Sequence, residues 1–460
     1  MITKKIITRN TVVLALFLCM IHSCEEALEV NPPINQINAN QVFESTSTAD
    51  AALSSLYAEL QAYSLLSGSS SGAGALLGSY TDELVNYSTA SNADFDIFNN
   101  SMVSTNIKIK SVWANAYKEI YMANAIIEGV NKSTAIADLD KKRIKGEALF
   151  VRALIYYYIS QIFGAIPYVT TTDYTVNQSL AKTNETELLV KIQNDLSESS
   201  SLLNDIYRNP DRIYPNKKTA DLLLASVLMT QNHWQDAEIL LKGIIQNALY
   251  TWQPDLSKTF KMNGKHILWQ LKPLQANNAT SEALLYYFTM ALPNTYTLSD
   301  NLFASFDTND LRKQQWIKTL TINQKNYYRT DKYRNISANT DEYSIVFRLE
   351  ETYLLLAESL AQQDKKTEAL TYLNAVKAKA GITATPVSAT KEQILSEIIN
   401  ENRKEFFTEK GIRFLSLKRA GKLNGLLSTK PNWKTYHQNW PLPNSELLLN
   451  PHLNPQNDGY

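Results

Sequence analysis

Cysteine is nearly absent from this chain: Cys19 and Cys24 are the only two among 460 residues, both near the N-terminus. A disulfide framework is therefore excluded as the source of the fold. Histidine is almost as scarce, with five copies, and His233, His266, His437 and His452 show no metal-ligand spacing. There is no HExxH, no G-x-S-x-G elbow, no phosphate-binding loop and no dinucleotide fingerprint. Net charge is missing as well, since 45 basic residues balance 45 acidic ones, which leaves no electrostatic footprint for nucleic acid. Glycine and proline stand at 14 each, too few for a fibrous or low-complexity chain. Beyond the first 23 residues there is no apolar run long enough to span a bilayer.

The chain does hold a large, ordinary core composition, 44% hydrophobic and 20% charged, with length for two or three domains. Tyrosine is the outlier, with 25 copies against 14 Phe. Its ring and hydroxyl suit half-wet surfaces and recognition sites, although most of these residues are expected at core edges. At the N-terminus, Lys4, Lys5 and Arg9 precede an apolar stretch from Val12 to Ile21. The stretch closes on Ile21-His22-Ser23-Cys24, which resembles a lipobox, so 1–23 is expected to be a lipoprotein signal and Cys24 the acylated residue. Removing Lys4, Lys5 and Arg9 takes the 45 basic residues to 42 against 45 acidic, and leaves Cys24 as the sole cysteine. Glu25, Glu26 and Glu29 then open a tether over 24–40 that contains Pro32-Pro33.

Helical periodicity dominates the chain beyond this tether. Leu349, Tyr353, Leu356 and Leu360 stripe one helix face, and Ala369, Leu373, Val376 and Ala380 stripe a second before Gly381. The polar break between them predicts an antiparallel hairpin that crosses closely at Ala357 and Ala369. Leu222, Leu223, Leu224, Ala225, Leu228, Ala237, Leu241 and Ile244 repeat the pattern at one constant offset. Such hairpins are similar to tetratricopeptide units, but the offset is too long for a tandem array. Further helices are expected from Thr48, from Ser111, over Lys142–Phe163, over Glu185–Leu203 and over Lys391–Phe407. Ser64–Ala75 reads as a Ser/Gly-rich loop. The period dissolves across 250–345, where His266–Leu271 alternates like a strand. The expected architecture is mainly α: helical hairpins form a scaffold for an irregular, loop-rich face with a few short strands. Its regions are 41–249, the insertion 250–345, and 346–460.

The closing segment carries a resemblance. Glu401, Arg403, Glu405, Glu409, Gly411, Arg413, Leu417 and Arg419, then Pro441, Pro443, Glu446, Gln456, Asn457, Gly459 and Tyr460, resemble the C-terminal signature of the SusD/RagB family of outer-membrane nutrient-binding lipoproteins. Ser416 departs from it, where the family usually has Asp. The acidic run after Cys24 also resembles the surface-export signal of Bacteroidetes lipoproteins. The resemblance implies a lipid-anchored protein of the outer membrane that faces the exterior. It further implies a lid on a SusC-like TonB-dependent transporter that captures a nutrient, often an oligosaccharide, with no cofactor and no catalysis. The motif's Glu and Arg residues are expected to form structural ion pairs at helix ends.

A sugar site needs flat aromatic faces ringed by amide, hydroxyl and charged groups, on loops rather than core stripes. The candidates are Tyr80, Tyr87 and Phe95, with Asn86, Asn92 and Asp94 nearby, and in the insertion Tyr296, Trp316, Tyr327 and Tyr328, with Asn323 and Arg329. Trp113 and Trp234 are expected in the core. Two other classes stay open: a transporter-capping protein with little ligand affinity of its own, and a glycoside hydrolase, whose two carboxylates no motif would reveal.

Overall fold

In the computed structural model, residues 41–460 are described, so the signal, the tether and Cys24 lie outside the described residues. Helices run over Thr46–Tyr63, Ile107–Lys132, Asp138–Phe163 and Glu185–Leu202, followed by the first hairpin, Lys217–Thr230 and Trp234–Ile245. Asn106 caps one of the two longest helices by accepting from the Lys108 and Ile109 amides at 2.9 and 3.3 Å. Asn216 and Thr219 form a reciprocal capping box at the start of the first hairpin.

The second hairpin, Leu349–Gln362 and Lys366–Lys379, does not stand apart from its sequence echo. It packs directly against it. Ser359 Oγ donates to the Trp234 carbonyl at 2.6 Å, and Lys365 Nζ reaches Glu238 at 2.6 Å. Both hairpin turns use a left-handed residue at the equivalent place, Asn232 (φ 63°) and Asp364 (φ 62°), residue types that tolerate this region. The following amides close matching bonds, His233 to the Leu228 carbonyl and Lys365 to the Leu360 carbonyl. Gly381 ends the second hairpin at φ 70°, as the sequence pattern predicts. Ala357 and Ala369 are fully buried. The solenoid is therefore continuous in space and interrupted only in sequence.

The interruption contains β2 (Ile267–Leu271), β3 (Tyr296–Leu298), β4 (Ile317–Ile322), β5 (Lys325–Thr330) and β6 (Ser344–Arg348), while β1 (Leu84–Asn86) comes before the first hairpin. β1, β3, β5 and β4 form one antiparallel sheet in that order, and β2 pairs with β6. The chain thus leaves and re-enters the solenoid through the β2–β6 pair.

A buried ionic network fastens this region to the helix Lys391–Phe406. Arg312 contacts Asp310 at 2.8 Å, Glu401 at 3.0 Å and Glu405 at 3.1 Å. Arg348 contacts Glu350, Glu405 and Glu409, and Lys332 contacts Glu409. Burial works against the charge on Glu405, but Arg348 and Arg312 hold its carboxyl below the usual range. Arg403 and Arg413 share Asp82, and Arg419, three residues after Ser416, pairs with Glu358 of the second hairpin. The motif's Glu and Arg side chains from Glu401 to Arg419 are all tied into ion pairs. The tail joins in: Asn457 Nδ2 donates to the carbonyls of Phe163 and Trp440, each at 2.7 Å.

Ser64–Ala75 is only partly a loop, because a helix starts at Ala73 and runs to Tyr80 with every residue buried. Gly74 makes that possible, since a Cβ there would lie 2.3 Å from the Thr408 carbonyl oxygen.

Candidate functional site: the outer face of the four-stranded sheet

Strand alternation divides the aromatic candidates into two sets. On β1, Leu84 and Asn86 point inward and are buried, while Val85 points to the other side, followed by Tyr87 two residues on. The Tyr87 amide donates to the Thr295 carbonyl at 2.8 Å, which extends the ladder by one residue and fixes that direction. On β5, Tyr328 and Thr330 share the inner side with Leu298 and Ile317, their partners across the strands. Tyr327 and Arg329 take the outer side.

The outer side carries a small aromatic cluster. Tyr87 meets Tyr327 edge-on, with centroids 5.9 Å apart, over Phe288, Leu320 and Ile322. Lys325 Nζ lies 5.2 Å from the Tyr327 ring centre. Arg329 is gripped by Asp331 at 2.6 Å and donates to the Phe288 carbonyl at 2.6 Å. Its guanidinium sits 4.9 Å from the ring of Tyr287, which is 44% exposed. Flat rings, a clamped guanidinium and the Lys325 ammonium beside water make a shallow surface that suits the C–H face and hydroxyls of a polar ligand.

The other candidates lie elsewhere. Tyr80 is fully buried against Trp433 and Trp440, and its hydroxyl donates to the His437 carbonyl at 2.6 Å. Tyr296 is 2% exposed and packs on Tyr286. Trp316 is 1% exposed; it packs edge-on to Phe260 and donates to the Leu256 carbonyl at 3.2 Å. These three are core residues, in or next to short elements whose sequence pattern reads as loop. Phe95 is half-buried and leans on Phe98. Tyr327 is itself mostly covered, at 8% exposure, so its edge supports Tyr87 more than it offers a free face. Tyr328 is stacked on Phe303 at 3.7 Å. Tyr287 and Phe288 carry no signal in the sequence, because only the register of β5 shows which loop covers Arg329. Trp113 is core, and Trp234 packs half-buried against it.

Among the described residues no three His, Cys, Asp or Glu side chains converge as a metal site. Burial pushes the Glu83 carboxyl up to about 8 and raises Glu119 as well, but each is only 1% exposed, so neither meets a substrate from solvent. No helix among the described residues is long and apolar enough to cross a membrane.

This mainly helical fold with a few short strands is shared with solved structures of the SusD superfamily. A SusD superfamily protein from Bacteroides vulgatus superposes with a TM-score of 0.77 over 91% of this chain and 100% of its own, at 19% identity. Surface glycan-binding protein A from Bacteroides thetaiotaomicron, in complex with laminarihexaose, superposes with a TM-score of 0.74 over 90% and 99%, at 17% identity. SusD-like protein P2 of Formosa agariphila is 24% identical over 94% of this chain and 96% of its own. A family model described as "Starch-binding associating with outer membrane" matches residues 27–229, and the SusD family model matches 286–460. The chain belongs to the SusD/RagB family.

Proposed function

We propose that this protein captures a glycan on the outer face of the four-stranded sheet and delivers it to a SusC-like TonB-dependent transporter, over which it acts as a lid. Acyl chains on Cys24 hold it on the exterior of the outer membrane; more than one chain is needed for stable anchoring. Binding is non-enzymatic. The observation that carries this reading is the Tyr87–Tyr327 pair with Arg329 over Tyr287, in which half-buried Tyr87 and exposed Tyr287 turn ring surface to solvent. The fold neighbour that carries laminarihexaose supports a glycan as the ligand class.

The test is calorimetric titration of the mature chain, carrying Cys24→Ser, with neutral and acidic oligosaccharides, laminarihexaose among them. Binding that weakens about tenfold in Tyr87→Ala supports capture. A blank across the panel, with a barrel transporter co-purifying from membranes, replaces it with the second reading, a transporter-capping protein. Exposed Leu284 (58%), Met290 (90%) and Leu292 (54%), on the segment that carries Tyr287 and Phe288, favour a protein contact in that case.

A further inference from the structure

We propose that a pocket beginning at Val85, on the same side of β1 as Tyr87, takes a single neutral sugar unit at the end of the glycan. This assignment rests on the glycan-capture reading and names the part of the ligand that is recognised. Thr81, Asp82 and Leu84 line it as well, so it lies at the start of β1; Val85 and Tyr87 are two residues apart on one strand side, about 7 Å, which brings the pocket next to the aromatic surface. The pocket measures 330 Å³, at the low end of the roughly 300–1,000 Å³ typical of ligand sites, so it admits one or two rings and not a running chain.

Its chemistry is that of a polyol site. Phe98 supplies a half-buried ring, with the Lys430 ammonium 4.2 Å from its centre. Both charges in the wall are already committed. Lys430 Nζ donates to the Ser79 carbonyl at 2.8 Å and to the Phe98 carbonyl, while Asp82 is held by Arg403 and Arg413. The uncommitted groups are amides. Asn301 Oδ1 accepts from Arg403 at 2.7 Å, which leaves its Nδ2, and Asn432 Nδ2 donates to the Asn99 carbonyl at 3.0 Å, which leaves its Oδ1. Asn100 is 3% exposed and holds the Tyr80 carbonyl with Nδ2, yet its Oδ1 has no partner. A carboxamide both donates and accepts, as a hydroxyl does, whereas a ligand anion would meet the Asp82 carboxylate. The similarly sized cavity at Arg143 and Arg208 differs, because ion pairs with Asp50 and Glu147 occupy those guanidinium groups.

Saturation-transfer NMR on the mature chain, with methyl glycosides of glucose, galactose, mannose, xylose and glucuronic acid, tests the pocket directly. Asn432 is exposed, so Asn432→Trp fills the mouth without touching the core. The expected result is transfer to at least one neutral glycoside in the parent and in Tyr87→Ala, and its loss in Asn432→Trp. The best oligosaccharide then binds Asn432→Trp at least tenfold more weakly by calorimetry. No transfer to any neutral glycoside, preference for the glucuronide, or unchanged oligosaccharide affinity in Asn432→Trp overturns the proposal. If Asn432→Trp matches the parent while Tyr87→Ala fails, the pocket alone is refuted. If Tyr87→Ala also binds like the parent, the sheet-face reading falls with it.

Discussion

Arg312 and Glu401 face each other at 3.0 Å with neither side chain exposed to solvent, one from the insertion and the other from the family motif. A buried ion pair of this kind is weak evidence of net stability, because desolvation offsets most of the attraction. Its loss from one side only is a different matter.

Arg312→Ala leaves Asp310, Glu401 and Glu405 buried together without their shared cation. The expected loss is about 3–5 kcal/mol, measured by urea denaturation. Arg312→Met with Glu401→Gln, which removes charge from both sides, should cost less than Arg312→Ala. Equal losses would show that the pairing itself contributes little.

Trp316 and Tyr87 should part company. Trp316→Ala opens a core cavity and should cost about 3–5 kcal/mol of stability, with glycan affinity unchanged well below the melting temperature. Tyr87→Ala should leave the melting temperature within a few degrees and reduce affinity about tenfold, ~1.4 kcal/mol. The reverse outcome would move the ligand surface off the sheet.

Overpacking the hairpin crossing tests the scaffold role. Ala357→Leu and Ala369→Leu replace fully buried methyl groups, and each should destabilise by about 1–3 kcal/mol. Ligand specificity should not change. Altered specificity at unchanged stability would place the binding surface on the helices instead.

Glu83 predicts a pH dependence. Burial raises its folded-state pKa from 4.5 to about 8, against the pull of Arg403 and Arg413. A group whose pKa rises on folding stabilises most below its unfolded value, so this contribution is full below 4.5 and is lost as pH climbs through about 8. Glu83→Gln should therefore flatten the fall in stability between those limits, as followed by denaturant melts across the range. A parent profile with the same slope as that of Glu83→Gln between about pH 5 and about pH 8 would show Glu83 to be already ionised in the fold.

The helical scaffold was legible because stripes such as Leu349, Tyr353, Leu356 and Leu360 depend on local spacing alone. The stop at Gly381 was legible in the same way. Site residues depend on contacts far apart in sequence. One residue of register on β5 decides which cluster each ring joins, Tyr327 meeting Tyr87 on one side and Tyr328 stacking on Phe303 on the other. Tyr80 misled because a helix with its entire surface buried shows no polar face, and its Ser/Gly-rich approach reads as a loop. Trp316 misled because the partners that bury it, Phe260 and Lys332, lie on separate segments.

The β2–β6 rung, where Ile267 pairs with Arg348, brings the beginning and end of the long excursion to one place beside two hairpins that touch each other. For protein engineering, that makes the excursion a cassette with adjoining ends, so a cassette from a relative can be spliced in without re-threading the solenoid. The condition is ionic: the donor segment must bring cations at the positions of Arg312, Lys332 and Arg348, because their carboxylates stay behind in the recipient.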